Sequence, residues 1–122
     1  MDVGRRPRDL PRRSAPGLDV RRDGGPAGVP VRLTVVGEID LSTVPLLEAV
    51  LEPLIAERPG QVAMDLRGVT FCDVSGLTRL LAARTVLEAF GGELVLHGPC
   101  PSLQLLIDLV EPTLELAPPL PR

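Results

Sequence analysis

The sequence predicts an α/β domain: a mixed, mostly parallel sheet entered by an N-terminal hairpin, with helices joining the later strands. Three observations lead there. Strand-like alternation and helix-like periodicity take turns along the chain, glycine and proline clusters separate them at short intervals, and 122 residues suit one hydrophobic core rather than two. Strand and helix alternating with short links imply parallel neighbours joined by right-handed crossovers.

The elements follow in order. Leu18, Val20 and Arg22 alternate, Asp23-Gly24-Gly25-Pro26 supplies turn chemistry, and Val31, Leu33 and Val35 alternate again, which reads as a hairpin. Its second strand runs into Gly37-Glu38-Ile39-Asp40. Ser42 or Thr43 then caps a helix with Pro45 in its first turn, where the missing N–H does least harm. Leu47, Val50, Leu51, Leu54 and Ile55 form its buried stripe, with Glu48 and Glu52 facing water. Pro53 removes the hydrogen bond to the Ala49 carbonyl and predicts a kink or a break. Arg58-Pro59-Gly60 stops the helix.

Gln61 to Phe71 predicts the next strand, with Val62, Met64 and Leu66 on one face and Asp65 read, like the two glutamates, as a solvated carboxylate. A second helix places Gly76, Leu80, Ala83, Leu87 and Phe90 on one stripe, flanked by Leu77 and Leu81, and ends at Gly91-Gly92. Glu93 to Leu96 is a further strand. Ser102 to Val110 is a short helix buried through Leu103, Leu106, Ile107 and Val110, and Thr113 to Ala117 is a candidate last strand. The order is ββαβαβα(β).

Residues 1–16 carry five arginines against Asp2 and Asp9 and few apolar side chains, so they read as a disordered tail. The domain is expected over 17–117, with a proline-rich end at 118–122. Long apolar runs are all interrupted by charges or prolines, which predicts no membrane span, and the tail lacks the apolar region of a secretory signal. A cytoplasmic protein with both cysteines reduced is the expectation. A few arginines without aromatics are weak evidence for contact with a nucleic acid or a membrane surface, and neither is expected as a direct partner.

The stretch that carries chemistry is TFCDVSGLTRLLAAR, Thr70 to Arg84. Sites in such sheets gather where strand carboxyl ends meet helix amino ends, and Ser75 is expected at that edge, at the first turn of the second helix. Free backbone N–H groups and the helix dipole there favour negative charge, so a phosphate on the Ser75 oxygen is well accommodated. Asp73 is a natural cap, and Asp40, at the preceding strand-to-helix link, is placed to come near it.

GEIDLSTVPLL, VAMDLRGVTFCDVSGLTRLLAA and GGELVLHGPCPSLQLLIDL, in this order and spacing, resemble the STAS domain of anti-sigma-factor antagonists over roughly Leu18 to Ala117. The resemblance implies a small regulatory domain, not an enzyme and without a cofactor. It binds an anti-sigma factor that is also a serine kinase and so frees a sigma factor for transcription; phosphorylation reverses the binding, and a serine phosphatase would restore the unphosphorylated form. It implies that Ser75 is the phosphoacceptor, that Asp73 is the motif's acidic residue, and that Asp40 is the aspartate of the G-E-[LI]-D segment. Partner contacts are expected at Thr43, Val74, Gly76, Leu77 and Thr78. Val74 stands where many relatives carry a second hydroxyl, which leaves one acceptor in the motif core.

Three other readings compete. A STAS module that is never phosphorylated would instead bind a small ligand or dock to a transporter or larger assembly. A serine hydrolase would need a base beside Ser75, for which His97 is the only histidine, and the G-x-S-x-G elbow is absent. Cys72, His97 and Cys100 would bind zinc if they converged, although their spacing is no specific signature and small buried hydrophobes are the better reading of the cysteines.

Overall fold

Val20 and Val35 face each other across two antiparallel strands, β2 (Leu18–Gly24) and β3 (Val31–Ile39), as the alternation at the start of the domain predicts. The structure is a computed structural model and describes residues 12–25 and 30–120. Pro26 of the expected turn and residues 1–11 of the expected tail lie outside the described residues.

One strand precedes the hairpin. β1 (Arg12–Ala15) pairs antiparallel with β2, Arg13 opposite Val20 and Ala15 opposite Leu18. Residues 12–15 of the expected disordered tail are thus a strand; the rest of that expectation, residues 1–11, lies outside the described residues. The segment has almost no apolar side chains to bury, but edge pairing satisfies backbone groups and asks little of side chains.

After β3 come α1 (Val44–Ala56), β4 (Gln61–Cys72), α2 (Val74–Ala89), β5 (Glu93–His97), α3 (Pro101–Val110) and β6 (Leu116–Ala117). Among the described residues six strands lie in the sheet in chain order; β3 to β6 are parallel to one another. With sequential parallel neighbours, right-handed crossovers put every helix on the same face. Accordingly α2 packs between α1 and α3, and Val31, Leu33, Val35, Val62, Met64, Leu66, Leu94 and Leu96 point into the core beneath them. The opposite face carries Arg32, Thr34, Arg67 and Val95, all partly exposed.

Leu47, Leu51 and Leu54 are the buried stripe of α1, with Val50 and Ile55 packed partly against it. The helix runs through Pro53 as one element, so the break that was one of the two expected outcomes does not occur. Pro53 lies in the last turn and is exposed, so its ring points to water and the lost Ala49 bond interrupts nothing downstream. Gly76, Leu77, Leu80, Ala83 and Leu87 are the buried residues of α2. Phe90, expected on that stripe, is 46% exposed, and the Arg58 guanidinium lies over its ring at 4.5 Å. Val110 of α3 is likewise exposed, leaving Leu103 and Ile107 as its buried pair.

Two carboxylates expected to be solvated are paired. Glu48 of α1 accepts from Arg79 of α2 at 2.8 Å, which ties the two helices together. Asp65 is 3% exposed. It holds Arg67 through both oxygens, at 3.1 and 2.9 Å, and Arg32 at 3.1 Å. The hydrogen bonds from Arg67 outweigh burial and hold its carboxyl down at about 2. Two positions apart on β4, Asp65 and Arg67 share the face of the sheet opposite the helices, and the pairing of β3 with β4 brings Arg32 beside them.

Candidate functional site

The parallel pairing of β3 with β4 sets Ile39 beside Cys72, so the two strands end together and Asp40 and Asp73 leave the sheet on adjacent paths. A backbone bond from Asp73 N to Ile39 O, 3.1 Å, joins the paths. Each aspartate then organises the helix that follows it.

Asp40 Oδ1 accepts from Ser42 Oγ at 2.7 Å, Ser42 N at 2.9 Å and Thr43 N at 3.2 Å. These bonds, the Ser42 hydroxyl foremost, lower its pKa. Thr43 is the cap residue of α1, but its side chain turns inward: Oγ1 donates to Glu38 O at 2.8 Å and accepts from Asp40 N at 3.0 Å. Only 3% of Thr43 is exposed, so its expected contact with a partner is replaced by a role in holding the link. Upstream, Gly37 takes φ +120°, and a Cβ there would stand 2.1 Å from Gly17 O. No other residue fits that crossing.

Asp73 caps α2. Its Oδ1 accepts from Gly76 N at 3.1 Å and from Ser75 Oγ at 2.6 Å. The cap satisfies one of the first-turn donors that a helix cannot bond internally. Ser75 is therefore the second residue of α2, partly exposed, with its oxygen fixed by the carboxylate two positions earlier. Val74 is 59% exposed and Thr78 is exposed beside it.

Gly76 and Leu77 face the other way. Leu77 is 1% exposed and belongs to the core, so its expected place on a partner surface is corrected. Helical spacing turns position 77 about 200° from position 75, away from water. Gly76 is buried too, and a Cβ would meet Ile39 Cγ2 at 2.6 Å and Cys72 Sγ at 2.7 Å. It acts as a spacer that lets the start of α2 lie against the ends of β3 and β4. Cys72 beneath it is buried, which pushes its thiol up to about 12.

His97 is not beside Ser75. β5 ends with His97 opposite Asp65, seven positions before Cys72 along β4, roughly 20 Å at the rise of an extended strand. Its Nδ1 lies 3.0 Å from Pro118 O. Among the described residues no three histidine, cysteine, aspartate or glutamate side chains are grouped to hold a metal ion, and no helix is long and apolar enough to cross a membrane.

One feature escaped the sequence reading. Phe71, Cys72, Asp73 and Val74 with Ser102, Leu105 and Leu106 line an open cavity of about 310 Å³ beside the Ser75 turn. The signal for it was Leu105 and Leu109, four apart and out of phase with the buried Leu103 and Ile107.

Residues 25–111 match the family described as Mlab, STAS domain. The chain belongs to the STAS domain family. A STAS fold also accounts for its likeness to solved structures. The chain is similar to an anti-sigma factor antagonist from Mycobacterium paratuberculosis, at 27% identity and a TM-score of 0.70, covering 83% of this chain and 87% of that one. Unphosphorylated SpoIIAA, an anti-sigma factor antagonist, shares the STAS fold at 21% identity and a TM-score of 0.67, over 80% of this chain and 87% of that one. The phosphorylated form of the Bacillus cell fate determinant SpoIIAA does so at 21% identity and 0.64, over 80% and 90%. No curated protein matches this STAS domain significantly.

Proposed function

We propose that this STAS domain is an anti-sigma-factor antagonist. Its unphosphorylated form binds an anti-sigma factor with serine kinase activity and frees a sigma factor, and phosphorylation of Ser75 reverses the binding. The observation that carries this is the Ser75 hydroxyl held by Asp73 at the open end of α2, between exposed Val74 and Thr78. Likeness to an anti-sigma factor antagonist at 27% identity supports it.

The chemistry is that of a substrate, not an enzyme. Ser75 Oγ attacks the γ-phosphorus of ATP bound to the partner, the bond to the β-phosphate breaks, ADP leaves, and the hydroxyl proton passes to Asp73 Oδ1 or water. The product carries nearly two negative charges next to a carboxylate that was a hydrogen-bond acceptor. The Asp73–Ser75 bond cannot survive, because both groups are then acceptors. The phosphorylated side chain turns outward, where the first-turn N–H groups and helix dipole still favour it but a packed partner would have to desolvate it. Binding is lost without unfolding, and a serine phosphatase would reset the switch.

The test is intact mass after incubation with Mg·ATP and the anti-sigma factor. One phosphate is expected on the wild-type chain and none on Ser75→Ala. A full phosphate on the alanine variant moves the site elsewhere, Thr78 first.

A further inference from the structure

We infer that the anti-sigma factor anchors itself by inserting apolar side chains into the groove between β4 and α3, beside Ser75; this rests on the reading above and names the surface its partner uses. On α3, Leu103 and Ile107 are fully buried, whereas Leu105 and Leu109 are 60% and 73% exposed. Phe71, at 43%, and Val74, at 59%, are exposed on the facing segment. These side chains are not scattered: Phe71, Val74 and Leu105 share the wall of one open cavity of about 310 Å³. That is room for one or two large aliphatic or aromatic side chains.

The polar groups around it decide what the occupant is. Asp73 spends its Oδ1 on Gly76 N and Ser75 Oγ. Ser102 Oγ lies 3.4 Å from Cys100 Sγ, and Gln104 donates to Asp108 on the same helix. The groove therefore offers apolar contact and few free donors, which suits hydrocarbon and not a sugar, a phosphate or a carboxylate beside Asp73. Position decides between a small molecule and a protein. Val74 is both a wall of the groove and the residue before Ser75, so a surface that covers Ser75 also covers the groove. The exposed pair Leu105 and Leu109, one helical turn apart, continues the apolar strip and fits a partner helix laid along α3. The groove would supply affinity and Ser75 the switch, through one stretch of backbone.

The experiment is steady-state phosphorylation by the anti-sigma factor that modifies Ser75, with Mg·ATP, on the full chain. Leu105→Gln and Leu109→Gln, at exposed positions, should raise KM about tenfold each with kcat little changed, since docking is lost and chemistry is not. Val86→Gln, an exposed site along α2 outside the groove, should leave both constants unchanged. Equal constants for the groove variants and wild type, or an equal rise with Val86→Gln, would overturn the proposal. Should Leu105→Gln melt early, Val74→Gln repeats the test from the other wall without adding a second hydroxyl acceptor. If no anti-sigma factor phosphorylates wild-type Ser75, the functional reading itself fails, and the groove assignment with it.

Discussion

Ser75 Oγ and Gly76 N converge on a single oxygen, Asp73 Oδ1, so one carboxylate atom both starts α2 and aims the hydroxyl. Two tasks on one atom can be separated by substitution. Asp73→Ser keeps a capping oxygen but removes the charged acceptor, so stability should change by less than about 1 kcal/mol while phosphorylation slows by an order of magnitude. Asp73→Ala should lose both, with a cost of about 1 kcal/mol in denaturant melts. Equal phosphorylation rates across the series would show that the partner alone orients the hydroxyl.

Charge at position 75 tests the switch. Ser75→Asp and Ser75→Glu should weaken the partner complex by roughly 2–3 kcal/mol, the cost of a poorly paired interfacial charge. Ser75→Ala should bind and become insensitive to ATP. Far-UV circular dichroism should be unchanged in all three, because an acidic side chain at a helix start is locally favourable. Calorimetric titration reads the binding. Unaltered affinity of the acidic variants, with release of the phosphorylated protein, would mean that the tetrahedral group and not charge controls release.

Gly76→Ala should behave quite differently from most exposed-helix exchanges. Its methyl would have to displace Ile39 and Cys72, both fully packed, at a cost of about 1–3 kcal/mol despite alanine's better helix propensity. A shift of the Ser75 and Asp73 amide resonances should accompany the loss, since the start of α2 is pushed off the strand ends. A stabilised variant would show that the neighbours yield freely.

Asp65 gives a pH dependence. Its folded carboxyl titrates near 2, below the ordinary 3.8, so its contribution is complete above about pH 4 and is lost as pH falls toward 2. The shift is worth roughly 2 kcal/mol. Asp65→Asn should lower stability by about that amount at pH 7 and flatten the acid limb of the melting curve. An acid limb as steep as that of wild type would assign the sensitivity to other carboxylates.

β1 gives the last prediction. Deleting residues 1–16 removes four paired positions and bares the edge of β2. The thermal midpoint should fall by about 4–8 °C for each kcal/mol lost. A midpoint unchanged by the deletion would show that this edge adds nothing to stability.

The reasons for what the sequence reveals differ from element to element. Val31, Leu33 and Val35 alternate because one face of β3 is bare, so their pattern names both strand and face. Asp73 was legible as a cap because the rule is local. Asp65 was less so: Arg67, two positions on along the same strand, could be read beside it, but Arg32 meets it only once β3 and β4 pair, which leaves no mark on composition. Leu77 was misplaced on the partner surface for a related reason: the motif names neighbours in sequence, while the helix sends Ser75 and Leu77 to opposite sides. β1 was missed because backbone pairing at an edge needs no hydrophobic signature.

The strand order has a consequence for how the chain can be made. Every strand pairs with the one before it in sequence, from β1 to β6. None has to be threaded between two that are already joined. A ribosome delivering this chain from its amino end therefore supplies each new strand to an edge that is waiting for it, and the Asp73–Ser75 turn is complete in outline before β5 and α3 have emerged. Assembly by addition keeps loop closures short, which favours rapid folding.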